Sequence, residues 1–272
     1  MRQTLLIWSE SAATRLAALA VAAVLAAVFS GCKNDSEAIP DSGKAYYPVA
    51  VNNFWTYAVT DTVWEQSSFT GVVVRGRVNV SNYQVRETIT ETFTDVAGKL
   101  AYRMVRASRP TATAAWTNDS VFVVSANDQF VAMSRSNRRT LEVVFPIKEG
   151  GKWHVNAFNN NNSGVEDTAK TRQYSHLGEA FTTRNAAGQP ITAYPAAVAT
   201  NDIGLAAEVN LLTQNSYQQV FAKNIGPVFR NRRRLAPYNY TDPSSGNQIF
   251  PTNAFSLGSY THRETLIDYG PK

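Results

Sequence analysis

Cysteine is nearly absent from this chain: Cys32 is the only one in 272 residues. A lone thiol excludes an intrachain disulfide and a cysteine-built metal site. Histidine is almost as scarce. His154, His176 and His262 stand far apart, with no His-x-His or His-Glu-x-x-His spacing to mark a metal centre. The strained Gly-x-Ser-x-Gly turn that exposes a nucleophilic serine does not occur. Gly71, Gly76 and the Gly150-Gly151 pair lack both the spacing of a phosphate-cradling loop and the helix that must follow it. Glu87 and Glu91 fall on one face of an extended segment roughly 13 Å apart, beyond the separation of about 5–10 Å that glycoside hydrolysis requires. No segment after residue 45 shows a sustained helical period. These absences leave no catalytic residue, no metal and no cofactor to assign, so the chain is expected not to be an enzyme.

What is present begins at the N-terminus. Leu16 to Phe29 is an unbroken run of 14 Ala, Leu, Val and Phe residues. A membrane-spanning helix needs about 20. A run of this length, preceded by Arg2 and Arg15 and followed by small residues, has the form of a signal peptide over residues 1–31. Phe29-Ser30-Gly31-Cys32 resembles the lipobox of bacterial lipoproteins, with Phe29 where that family prefers leucine. The resemblance implies cleavage before Cys32 and acylation of its thiol and amine, making Cys32 the lipid-attachment residue. Two or three acyl chains give lasting anchorage where one is marginal. Residues 32–45 are polar and read as a flexible tether. Within them Lys33, Asp35 and Glu37 loosely resemble the acidic surface-export signal of some Bacteroidota-type lipoproteins, although a solvated linker needs no such signal.

Removal of residues 1–31 leaves 24 basic and 20 acidic side chains, a net charge of about +4. That is mild for a chain of this length and calls for no nucleic-acid partner. A chain this long can bury an adequate core without disulfide or metal staples.

From Tyr46 onward the pattern is that of β-structure. Phe54 to Trp64 alternates, with Trp55, Tyr57 and Val59 on one side. Similar β-branched and aromatic segments are expected over 72–80, 83–93, 100–107, 121–124, 130–133 and 141–145. In the second half they fall at 171–175, 191–199, 207–213, 217–221, 228–235 and 260–269. Alternation with one polar face marks antiparallel strands. The expected class is therefore all-β: an antiparallel, curved sheet, half-barrel or sandwich-like.

A repeat subdivides it. Pro48 and Pro146 each follow an aromatic residue, Tyr47 and Phe145, and each precedes a tryptophan by seven positions, Trp55 and Trp153. Between them lie Asn52-Asn53 and Gly150-Gly151, residues that tolerate positive φ and reverse the chain. Proline cannot sit in a central ladder, and each tryptophan then opens a strand with its ring inward. Two β units follow, 46–145 and 146–272, continuous as one domain. The same segments resemble uncharacterised Bacteroidota-type lipoproteins with repeated proline–glycine–tryptophan segments. The matching residues are Tyr47, Pro48, Val49, Asn53, Trp55 and Tyr57, then Pro146, Gly151 and Trp153, then the run from Ala222 to Val228. That resemblance implies an outer-membrane lipoprotein, facing the periplasm or the cell surface, and brings no catalytic residues.

One charge feature stands out. In Arg230-Asn231-Arg232-Arg233-Arg234 the residues Arg230, Arg232 and Arg234 share a strand face at a spacing of about 6.6 Å, suited to phosphates or carboxylates. They are the candidate anion-binding residues, against the alternative of a solvated face paired across the sheet. Arg135, Arg138 and Arg139 form a second cluster. Two functions compete: a non-enzymatic binding or carrier module whose concave face holds an apolar or amphipathic ligand, and a structural subunit of the cell envelope contacting proteins or acidic glycan. In either case the membrane is a partner through the N-terminal lipid.

Radioactive palmitate fed to cells is expected to label the wild-type chain and not the Cys32→Ala variant. An unlabelled wild type still carrying residues 1–31 would remove the anchor.

Overall fold

The computed structural model describes residues 41–159, 170–185 and 187–271. The signal peptide, Cys32 and the tether up to residue 40 lie outside the described residues. Asp41–Lys272 is one compact unit.

Inward apolar residues at every second position along long strands force the chain to curl around them. The first half of the chain supplies β1 (Phe54–Trp64), a small hairpin of β2 (Ser68–Phe69) and β3 (Val73–Val74), then β4 (Val78–Thr94), β5 (Leu100–Arg109), β6 (Thr117–Ala126), β7 (Phe130–Arg135) and β8 (Arg138–Val144). The second half supplies β9 (Lys152–His154), β10 (Thr171–Arg184), β11 (Pro190–Ile203), β12 (Gln214–Ala222) and β13 (Gly226–Leu235). A second small hairpin, β14 (Tyr240–Thr241) and β15 (Gln248–Ile249), precedes the last strand, β16 (Tyr260–Gly270). Twelve strands form one antiparallel sheet in the order β8-β7-β6-β5-β4-β1-β16-β13-β12-β11-β10-β9, nearly closed into a barrel. Each half of the chain is a six-stranded meander, and the change from one to the other falls at Pro146.

The two halves meet at two seams of different kinds. At one, β1 and β16 share a full backbone ladder from Phe54–Gly270 to Val63–Tyr260. At the other, β8 faces β9 and β10, and side chains stand in for much of the ladder. Leu141 N–H donates to the Val155 carbonyl at 2.8 Å, and Trp153 Nε1 donates to the Leu141 carbonyl at 3.1 Å. The Tyr174 hydroxyl accepts from Val144 N–H at 2.8 Å and donates to the Val144 carbonyl at 2.9 Å. The Asn159 amide does the same for Arg139, as a neighbouring peptide would. Unpaired strand edges invite intermolecular pairing; here the outermost strands β8 and β9 face each other.

The repeated segments take matching roles. Asn52 and Gly150 sit at equivalent positions with φ of 73° and 74°. Trp55 and Trp153 are both buried. Trp55 Nε1 donates to the Ile225 carbonyl at 2.6 Å, and a Cβ on Gly226 would lie 2.8 Å from that nitrogen. Glycine is therefore needed there for space as well as for its φ of 105°.

Three expectations require correction. The body starts at Asp41, not Tyr46: Ile147 N–H donates to the Ser42 carbonyl, Gly43 packs on Ile147, and a 3₁₀ turn over Lys44–Tyr46 buries Tyr46. The 207–213 segment is not a strand, because Asn210 Oδ1 accepts from the N–H groups of Leu212 and Thr213 and turns the chain. The 72–80 segment is broken: Gly76 packs on the Glu65 backbone, and its last residues begin the long β4.

The outer face mixes polar residues, as at Thr56, Thr60 and Thr62 on β1, Arg86 on β4 and Arg263 on β16, with exposed apolar ones such as Val78 and Val80 on β4. Among the described residues no helix is long and apolar enough to cross a membrane.

Tyr174→Phe removes the hydroxyl that satisfies both polar groups of Val144. It is expected to destabilise the fold by about 1–3 kcal/mol, read as a lower urea midpoint with an unchanged slope.

Candidate functional site: the mouth of the barrel

The inward row of each strand changes character along its length. On β1 it runs Trp55, Tyr57, Val59, Asp61, Val63; on β13 it runs Val228, Arg230, Arg232, Arg234; on β16 it runs Leu266, Glu264, His262, Tyr260. Antiparallel register brings the apolar ends together and the charged ends together. One end of the barrel is a packed core of Trp55, Tyr57, Phe221, Ile89, Met104 and Leu266, each almost inaccessible to solvent. The other end is polar and open.

Two ion networks line that open end. The first centres on Arg230. Its guanidinium grips Glu87 of β4 with both carboxylate oxygens, at 2.9 and 3.2 Å, and Glu264 of β16 at 2.7 Å. It also lies 5.0 Å over the Tyr57 ring. Arg106 of β5 approaches Glu87 at 3.6 Å and Glu264 at 3.3 Å. His262 is held from both sides, by Asp61 at 2.5 Å and Glu264 at 3.1 Å, while the Tyr83 hydroxyl donates to Asp61 at 2.9 Å. Burial alone would lower the His262 pKa, but the hydrogen bonds and charges of Glu264 and Asp61 outweigh it and raise the pKa. Glu264 is likewise desolvated, yet Arg230, His262 and Arg106 hold it well below the usual carboxylate range.

The second network surrounds Tyr217 of β12. Arg172 of β10 binds Asp202 at 3.0 Å and Glu142 at 3.4 Å, and Lys170 binds Asp202 at 3.2 Å. Thr140 donates to Glu142 at 2.8 Å. Three cations crowd the Tyr217 ring: Arg172 at 4.4 Å, Arg232 at 4.9 Å and Lys170 at 5.8 Å. Burial lowers the Lys170 pKa; Asp202 opposes this, and Arg172 and Arg232 add to the lowering. Burial would raise the Glu142 pKa, but Arg172, Arg135 and the Thr140 hydroxyl bring it down to about 2.

Between these networks lies open space. A hollow of about 410 Å³ is bounded by Asp61, His262, Arg106 and Tyr260. A second of about 300 Å³ is bounded by Glu142, Arg172, Asn156 and Arg234. Arg135, Tyr217 and Arg232 line both. The combined size is that of a small-molecule site.

The three arginines singled out from the sequence do share one face, and that face is the barrel interior. They are not equivalent there. Arg230 is buried and committed to two carboxylates, Arg232 reaches into both hollows, and Arg234 is exposed at the rim of the smaller one. Sequence reasoning missed Arg172, Tyr217, Glu264 and the bracketed His262. It also treated Glu87 and Glu91 as a same-face pair, but a register shift between Ile89 and Glu91 breaks the alternation. Glu87 is buried, whereas Glu91 is exposed and paired with Arg103. Alternation could have placed His262 and Glu264 on one face, but nothing local marks that face as inward.

The site is poor in reactive groups. Both ring nitrogens of His262 are engaged by carboxylates, so neither is free to act as a base. Among the described residues no cluster is arranged to hold a metal ion, and no buried side-chain polar atom lacks a partner.

Glu142 gives the acid limb of stability a defined origin. Its pKa falls on folding from the ordinary 4.5 to about 2, so its contribution is complete above 4.5 and is lost as pH falls through about 2. The loss is on the order of 3 kcal/mol. Urea titrations at descending pH are expected to show that decline, and Glu142→Gln to show a shallower one over the same window.

Compared with known proteins, the chain matches no protein-family model, no curated protein and no solved structure.

Proposed function

We propose that this protein is a non-enzymatic binding module of the bacterial cell envelope, tethered through lipid on Cys32, whose ligand enters the open end of the barrel. The observation that carries this is the pair of adjoining hollows that share Arg135, Tyr217 and Arg232 and are lined by inward Arg, Tyr, His and carboxylate side chains. A filled barrel with charge only on its outside would have favoured a scaffold. The arrangement also says what kind of ligand fits. Among the described residues, the large aromatic side chains of the interior are packed against one another and line no apolar cavity: Tyr47 against Trp55 and Phe221, and Trp153 against Tyr174. What remains open is polar with an excess of guanidinium, so the recognised part of the ligand is anionic. An acidic sugar or the acidic head of an amphipathic molecule has that chemistry.

Non-enzymatic action is supported by a histidine whose two ring nitrogens are both engaged by carboxylates and by carboxylates paired with arginines. A structural role through strand addition has less support, because the outermost strands β8 and β9 of the main sheet face each other.

Thermal unfolding of the processed protein is to be followed at low salt against acidic sugars, small phosphates, neutral sugars and a fatty alcohol. Anionic compounds are expected to raise the midpoint with increasing concentration, as any ligand of the native state does, and the neutral compounds to leave it unchanged. Absence of any anion effect, together with recovery of the protein in a stoichiometric complex with another envelope protein, would replace this proposal with the structural one.

A further inference from the structure

The charges at the open end do not balance evenly. Around Arg230 cations and carboxylates all pair: Arg230 and Arg106 contact Glu87 and Glu264, and His262 bridges Glu264 and Asp61. Around Tyr217 they do not. Lys170 and Arg172 take up Asp202 and Glu142. Arg135 and Arg232 remain, and neither has a carboxylate oxygen within 4.0 Å among the described residues.

Both of these guanidiniums are half-buried rather than waving in solvent. Each is steadied by a partner that orients it without cancelling its charge. Arg135 Nε donates to Met133 Sδ at 2.9 Å, and its guanidinium lies 4.7 Å over the Phe122 ring. Arg232 lies 4.9 Å over the Tyr217 ring. They come from opposite halves of the chain, β7 and β13, and converge on the same two hollows. An arginine serving only solubility would lie outside, as Arg233 does beside Gln214. Two like charges directed into one confined space repel each other, and that cost is relieved when an anion sits between them. Guanidinium forks match planar or tetrahedral oxyanions through paired hydrogen bonds.

Resting on the binding-module proposal, we infer that Arg135 and Arg232 form a site for a dianionic oxyanion group, with Tyr217 lining the same two hollows. Two positive charges with no carboxylate in contact among the described residues favour a dianion over a monoanion. A phosphate monoester and a closely spaced pair of carboxylates share that chemistry. The hollow of about 410 Å³ exceeds what a bare phosphate fills, so the dianionic group is the head of a larger molecule.

Calorimetric titration of the full processed chain separates these cases. At a pH of about 8, where phosphate monoesters are dianionic, methyl phosphate and succinate stand for the two dianions and dimethyl phosphate and acetate for the monoanions. At least one dianion is expected to bind about tenfold or more tightly than either monoanion, and which one does so identifies the ligand source. Arg135→Gln and Arg232→Gln are each expected to weaken that dianion by about tenfold or more, the loss of a charge-assisted hydrogen bond. Arg233→Gln, on the outer side of the same strand, is expected to bind as wild type does, and circular dichroism verifies that each variant is folded. Equal binding of monoanions, or binding indifferent to both Arg135→Gln and Arg232→Gln in folded protein, overturns this site while leaving the barrel a binding module. If no anion binds at all, both proposals fall.

Discussion

The guanidinium of Arg230 is the constraint around which the rest of the barrel is organised. It sits on β13, bonds its neighbour β16 through Glu264, and reaches past β1 to Glu87 on β4. Glu87 belongs to the first half of the chain and the other two to the second, so one cation ties the halves together inside the ladder seam. Taking these charges out of water costs several kcal/mol for each ion. Bidentate geometry, Arg106 on both carboxylates and His262 on Glu264 offset that cost. Removing one partner of such a buried pair typically costs about 3–5 kcal/mol, because a charge is left with no counterion. The same penalty fixes register. A one-residue slip of β13 would turn Arg230 outward and strand two carboxylates in the interior.

With Arg230 directed inward, the remainder of β13 follows by alternation. Val228 enters the packed end, Arg232 enters the hollows and Arg234 reaches the rim. The Arg230 network also acts as a floor. Below it lie the aromatic and aliphatic residues that supply the apolar burial; above it the interior is too charged to pack and stays open. The charge excess around Tyr217 follows from the same division, because the carboxylates on that side are consumed by Arg172 and Lys170.

Much of the fold was legible in the sequence because it rests on local rules. Period-two alternation located most of the long strands, Phe54–Trp64 among them to the residue. The repeated proline-to-tryptophan segments marked where one meander ends and the next begins. Misplaced segments fail for identifiable local reasons: an asparagine side chain that turns 207–213, a close backbone approach at Gly76, and the docking of residues 41–45 onto Ile147. The candidate site was legible only in part. Alternation put Arg230, Arg232 and Arg234 on one face, but a row of arginines on a strand is ordinarily a wet face, and no local signal separates the two cases. Glu87, Arg172 and Glu264 are each unremarkable in their own neighbourhoods, since Arg230, which binds both glutamates, and Asp202, which binds Arg172, lie 30 or more positions from them.

The sequence by itself determined the strand content, the antiparallel class, the midpoint division and the shared face of the three arginines, since each depends on residues within a few positions of one another. Only the tertiary structure decided that this face looks inward, that Arg230 is neutralised while Arg135 and Arg232 are not, and that the aromatic residues fill one end and leave the other open. The physical reason is closure. Which side of a sheet becomes an interior, and which charges meet across it, depends on how twelve strands curl together, and no single strand carries that information.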